Sequence, residues 1–166
     1  MKKLWAPWRM NYISSPKEQG CIFCKKSKSN NDKKNLVLFR GDSSYVLMNL
    51  YPYTNGHLMI SPYKHTSKTN DLSNKCNMEI MKLANSCMSI LIKNIKAEGF
   101  NFGANFGKIG GAGIEEHLHY HIVPRWLGDN NFMPVIGNTR IIMQGLEKTW
   151  LSLKPDFENL MDGQNA

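Results

Sequence analysis

The chain of 166 residues lacks any apolar run approaching the roughly 20 residues that a membrane-spanning helix needs, which excludes a transmembrane helix. The opening Met1-Lys2-Lys3-Leu4-Trp5-Ala6-Pro7-Trp8-Arg9 imitates a signal peptide for three residues, until Pro7 and Arg9 interrupt it before an apolar segment forms. A cytoplasmic protein is expected. Cysteines are few, four in all, and in that compartment they point to thiols or metal ligands rather than to a disulfide framework. Acidic residues are scarce as well, with 13 Asp and Glu against 21 Lys and Arg, a net charge of +8. Such a balance suits an anionic partner, whether nucleotide, nucleic acid or phosphate, without choosing among them. A bias toward Lys and Asn, visible in Ser29-Asn30-Asn31-Asp32-Lys33-Lys34-Asn35, is an equally good source of the positive charge. With 42% apolar residues and 20% charged, disorder of the whole chain is excluded and one domain of ordinary size is expected.

Without internal repeats, the chain divides by pattern. Residues 1–20 carry Trp5, Trp8, Met10 and Tyr12 and read as an arm that packs on something. Residues 25–35, lysine-rich and without an aromatic, read as a solvated loop. Leu36–Phe39, Ser44–Leu50 and His57–Ser61 read as strands, the last two joined by a connection whose Asn55-Gly56 supplies positive φ. Asp71 is a plausible N-cap for a long helix reaching about Glu98, with Gly99 as its stop. Along it Leu72, Cys76, Ile80, Leu83, Cys87, Ile90 and Leu91 recur at helical spacing and form a buried stripe, which places Cys76 and Cys87 in the core. Phe100–Phe106 and His117–Trp126 read as further strands, and a last helix near Gln144–Leu153 should end before Pro155. The expected fold class is α+β: an antiparallel sheet of about five strands, one long helix and a shorter C-terminal helix.

Chemistry concentrates in His117-Leu118-His119-Tyr120-His121-Ile122-Val123, which holds three of the five histidines at alternate positions. In a strand that spacing projects all three imidazoles to one side and sends Leu118, Tyr120 and Ile122 into a core. A neutral imidazole is a good nucleophile near pH 7, and attack on phosphorus would split one hard displacement into two. Its neighbours could donate hydrogen bonds to phosphoryl oxygens. Just upstream, Asn105-Phe106-Gly107-Lys108-Ile109-Gly110-Gly111-Ala112-Gly113 has the glycines that let backbone N–H groups cradle an anion. A metal site remains the alternative use of clustered histidines. Separately, Cys21-Ile22-Phe23-Cys24 has the spacing that puts two thiolates on one zinc, although zinc, redox chemistry and chance all produce such a pair.

The His-x-His-x-His run followed by apolar residues resembles the histidine triad family of nucleotidyl hydrolases and transferases, over roughly residues 20–126. Asn49-Leu50-Tyr51-Pro52-Tyr53-Thr54-Asn55-Gly56-His57-Leu58 is similar to the family's strand–turn–strand. The resemblance implies that His119 is the nucleophile, that His121 contacts phosphoryl oxygens, and that His57 lies beside them. It also implies that Asn49 binds ribose hydroxyls and Asn105 the phosphate, with Gly111, Ala112 and Gly113 lining the nucleotide. Leu4–Met10, Ala112-Gly113-Ile114 and Pro124–Val135 resemble the diadenosine tetraphosphate phosphorylase-like branch, in which inorganic phosphate can replace water as acceptor and the tryptophan after the triad, here Trp126, sits near the site. Ser61-Pro62-Tyr63-Lys64-His65 resembles the segment that supplies a zinc histidine in zinc-bearing relatives, including galactose-1-phosphate uridylyltransferases. Carried over, the ligands of a structural zinc are Cys21, Cys24, His65 and His117.

On this resemblance residues 21–135 form the core of a single domain, after the 1–20 arm and before a 136–166 extension. A homodimer is implied. The expected activity is cleavage of adenylylated substrates such as diadenosine tetraphosphate through a nucleotidyl-histidine, passed to phosphate; the alternative is hydrolysis of dinucleoside polyphosphates or nucleoside phosphoramidates by water. Two non-enzymatic readings stand beside it. One is a zinc-stabilised nucleic-acid binding module, disfavoured because the lysines sit in a stretch without interleaved aromatics. The other is a nucleotide sensor with residual activity.

Overall fold

The computed structural model describes residues 20–129, 142 and 144–162. Leu4–Met10, nearly all of the expected arm and the Asn130–Val135 stretch lie outside the described residues. In chain order the elements are α1 (Ile22–Lys28), α2 (Asp32–Asn35), β1 (Val37–Arg40), β2 (Ser44–Met48), β3 (Leu58–Pro62), a 3-10 turn (Thr69–Asp71), α3 (Asn74–Ile95), β4 (Gly99–Ala104), β5 (Tyr120–Arg125) and α4 (Leu146–Asp162). The strands form one antiparallel sheet in the order β1-β2-β3-β5-β4. This is the α+β fold expected, with one long helix and a shorter one near the C-terminus.

Alternation along the strands sorts side chains onto two buried faces. Val46, Met48, Leu58 and Ile60 join the main core with α3 and α4, while Tyr45, Leu47 and Met59 join a second cluster around Phe23 of α1. Every expected stripe residue of α3, from Leu72 to Leu91, is buried in the main core, Cys76 and Cys87 among them. The helix itself is shorter than Asp71–Glu98. Its N-cap is Ser73, whose hydroxyl accepts from the Cys76 amide at 3.2 Å, whereas Asp71 closes the preceding 3-10 turn and accepts the Thr66 hydroxyl. It ends at Lys96 in the left-handed conformation, because Glu98 already pairs its N–H with the Arg125 carbonyl at 2.9 Å to start β4. In the connection from β2 to β3, Gly56 has φ +77°, and a Cβ there would stand 2.6 Å from Ile95 Cδ1. Close approach to α3 therefore demands glycine as much as the backbone angle does.

Two further expectations are corrected. Residues 25–35 are not one solvated loop but α1 and α2 around a short bend. The Arg40 guanidinium organises them: Nη1 donates to Ser27 O at 2.6 Å, Nη2 to Ser29 O at 2.7 Å and Lys26 O at 3.1 Å, and Nε to Asp32 Oδ1 at 3.0 Å. Pro155 does not stop the last helix, which runs through it to Asp162. An interior proline costs ~3 kcal/mol, but fully buried Leu153 and Phe157 on either side are each worth roughly 1.5–3 kcal/mol. Asp156 is also held by Lys93 at 2.5 Å and Asn94 at 2.6 Å. The same helix seals the edge strand β1, since Trp150 Nε1 donates to Val37 O at 3.0 Å and Lys154 Nζ to Leu38 O at 2.9 Å.

Replacing Arg40 by Lys should leave carbonyls of the α1–α2 bend unpaired, because a point ammonium cannot reproduce the planar fork. The expected loss is about 1–3 kcal/mol, read as a lower midpoint in urea unfolding. An unchanged midpoint would show that solvent satisfies those carbonyls.

Candidate active site

All five histidines lie in one region, on the sheet face covered by α1. The expected single row along β5 is corrected in one respect. The ladder begins at Tyr120, paired with Ile60, so only His121 of the three stands in the strand. Residue 118 is withheld from the sheet because its N–H donates to Thr66 O at 2.6 Å and its carbonyl accepts the Ser61 hydroxyl at 3.2 Å. His119 and His121 remain neighbours, with ring centroids 5.0 Å apart, while His117 turns toward the cysteines. Leu118 and Ile122 point into the main core as expected, and Tyr120 packs against it.

The partners of each ring dictate its tautomer, since a carbonyl can only accept and an amide N–H can only donate. His119 Nδ1 lies 2.8 Å from the His117 carbonyl and so carries the proton, which leaves Nε2 with its lone pair. His57 Nδ1 accepts from the Tyr53 amide at 3.1 Å, with Asn49 Nδ2 at 3.4 Å. His57 must therefore donate from Nε2, and His121 Nδ1 receives that proton at 2.9 Å. It follows that His121 carries its own proton on Nε2. Burial lowers the His119 imidazole below its ordinary range, and burial together with neighbouring His119 brings His121 down to about 4. Both rings are thus neutral near pH 7, one presenting a lone pair and the other an N–H. This pairing can attack an electrophilic phosphorus and donate to an oxygen bound to it.

Asn49 is fixed beside His57, and its Oδ1 accepts from the Tyr51 amide at 2.9 Å. Asn105 lies at the mouth of the glycine loop, its Nδ2 donating to Gly111 O at 3.3 Å. Within that loop the Gly111 and Ala112 amides donate to Lys108 O at 3.0 Å and Gly107 O at 3.1 Å, so neither points to an anion in this conformation. Gly113 stands in open space. Trp126 packs against the main core and donates its indole N–H to Ile95 O at 3.2 Å; it neither stacks on nor hydrogen-bonds to the histidines.

Three contributors had no signature in the sequence pattern. Phe23 stacks on His119, with centroids 4.6 Å apart and planes 29° apart. Tyr53 covers His57 and His121 at 4.5 and 5.8 Å. Gly103 pairs with His121 across the β4–β5 ladder and leaves space beside it. The Cys-x-x-Cys spacing marks only the two cysteines, whereas Phe23 between them faces inward onto His119.

A second cluster adjoins the first. Cys21 and Cys24 sit one turn apart at the start of α1, and their thiols converge with His65 and His117, all four ligand atoms lying within 4.8 Å of one another. His117 Nε2 donates to Pro62 O at 2.9 Å, so Nδ1 offers a lone pair to the cluster. That Nδ1 stands 3.2 Å from Cys21 Sγ, 3.4 Å from Cys24 Sγ and 3.2 Å from His65 Nδ1. Tetrahedral coordination at about 2.3 Å for sulfur and about 2.0–2.1 Å for nitrogen spaces ligand atoms by about 3.3–3.8 Å. The distances from His117 Nδ1 lie close to that range, and the four donors could hold a metal ion.

The fold is that of a histidine triad protein. A family model described as the HIT domain matches residues 30–126, and the chain belongs to that family. It is 37% identical over 158 residues to the AP-4-A phosphorylase of Mycobacterium tuberculosis (strain CDC 1551 / Oshkosh), covering 90% of this chain and 80% of that one. It is 27% identical over 143 residues to the adenosine 5'-monophosphoramidase HNT1 of Saccharomyces cerevisiae, covering 86% of this chain and 77% of that protein. Among solved structures, a Zn-bound histidine triad family protein from Mycobacterium smegmatis superposes with a TM-score of 0.67 at 20% identity, over 87% of this chain and 97% of that one.

The purified protein should carry about one metal ion per chain by elemental analysis, and Cys24→Ala should abolish it. A ligand bound a thousandfold above its dissociation constant stabilises by about 4 kcal/mol, so thorough chelation should lower Tm by roughly 10 °C. Equal metal content in wild type and variant would remove the cluster as a metal site.

Proposed function

We propose that this protein is an enzyme that cleaves adenylylated nucleotides, diadenosine tetraphosphate foremost, by way of a nucleotidyl-histidine at His119. The observation that carries the reading is the His119 Nδ1–H bond to the His117 carbonyl at 2.8 Å, which commits Nε2 to a lone pair. Membership in the HIT family and 37% identity to a phosphorylase support the substrate class. In the first displacement His119 Nε2 bonds to the α-phosphorus while the bond to the polyphosphate oxygen breaks and ATP leaves. In the second, an oxygen of inorganic phosphate attacks the same phosphorus, the N–P bond breaks and ADP forms with His119 restored. His121 Nε2–H stabilises charge on the phosphoryl oxygens, its tautomer set by His57. Asn49 orients the ribose, and Asn105 with Gly111, Ala112 and Gly113 lines the polyphosphate after the loop amides turn outward. Trp126 reaches the nucleotide only if it departs from its contact with Ile95.

The metal held by Cys21, Cys24, His65 and His117 is read as zinc, which the sulfur and nitrogen donors favour. Bound there it is structural, and its chemistry is confined to fixing the backbone that precedes His119. A homodimer is proposed through β4, a terminal strand of the sheet, and a cytoplasmic setting suits the free thiols. Among the described residues no helix is long and apolar enough to cross a membrane.

Incubation with diadenosine tetraphosphate and inorganic phosphate should yield ADP and ATP. AMP and ATP formed without phosphate would mean that water is the acceptor. The 27% identity to a phosphoramidase makes adenosine 5'-monophosphoramidate the next substrate to test. His119→Ala should lower kcat about 10³-fold or more while nucleotide affinity and Tm stay close to wild type. Retained turnover in that variant would overturn the assignment of the nucleophile.

A further inference from the structure

We infer that Phe23 is a positioning residue that couples the metal centre to the nucleophile by holding the plane of the His119 ring. The inference rests on the proposed role of His119. A single hydrogen bond from Nδ1 fixes one edge of that imidazole but lets the ring rock about the bond. The Phe23 phenyl lies flat against it at 4.6 Å and 29°, within the range of favourable aromatic stacking, and blocks the rocking. The same phenyl touches the His117 ring at 5.2 Å and 39°, so it stands between the buried metal ligand and the nucleophile.

Phe23 has little freedom of its own. Its side chain is 1% exposed, packed with Val37, Tyr45, Leu47 and Met59. Its carbonyl accepts the Tyr45 hydroxyl at 2.9 Å. In sequence it lies between Cys21 and Cys24, so a metal bound by both thiols clamps its backbone from either side. The ring is thus set by the metal cluster on one side and sets the nucleophile on the other. Burial also means that Phe23 acts on the imidazole rather than as an open platform for a nucleobase.

The test compares Phe23→Leu with Ile80→Val, a substitution in the main core on the other face of the sheet, in the full-length metal-loaded protein. Phe23→Leu should keep its metal content and its KM, lower kcat about tenfold or more, and broaden or shift the His119 ring signals in 15N–1H NMR of the substrate-free protein. Ile80→Val should loosen the fold but leave kcat and the His119 signals as in wild type. Unchanged His119 signals in Phe23→Leu, or equal changes in Ile80→Val, would overturn the inference. Altered signals in a protein that turns over no nucleotide, even as wild type, would uphold the stacking role and count against the proposed activity alone.

Discussion

Two backbone carbonyls decide the chemistry of this site. Pro62 O takes the Nε2 proton of His117, and His117 O takes the Nδ1 proton of His119. One bond leaves His117 Nδ1 with a lone pair beside the cysteines, and the other leaves His119 Nε2 with a lone pair. Both are possible because residues 117–119 are held off the sheet by Thr66 and Ser61, leaving carbonyls that a regular ladder would have consumed. A metal ion on His117 would hold the stretch of backbone that carries His119.

This arrangement needs a sheet buried on both faces. On one face α3 and α4 supply the main core; on the other, α1 brings Phe23 and the two cysteines down onto the histidines. The polar site is built at the border of that smaller cluster, where burial lowers the imidazoles and keeps them neutral. The Tyr53–His57–His121 relay adds a fixed donor at no charge cost, since each proton in it has one acceptor. Neutrality and direction, rather than proximity alone, are what the fold contributes.

Much of this was legible in the residues. Strands with alternating or continuous apolar patterns, and the long helix with its stripe from Leu72 to Leu91, declared themselves because their signals are local. The four metal-competent residues and the grouping of His57, His119 and His121 followed from motif resemblance, and the chain brings each set together. What stayed hidden depends on distant partners. The α1–α2 bend is ordered by Arg40 from β1, α4 passes Pro155 because the core and Asp156 grip it, and α3 begins at Ser73 because Asp71 is already used by Thr66. Phe23 reads in sequence as an ordinary apolar residue; only its placement against two imidazoles gives it a role.

A covalent bond between the nucleotide and His119 requires two in-line displacements at the α-phosphorus. A substrate made chiral at that phosphorus with sulfur and oxygen isotopes reports the stereochemical course directly. Two displacements predict net retention of configuration in the product nucleotide. Net inversion would mean that phosphate or water attacks in a single step, and the nucleotidyl-histidine would have to be abandoned.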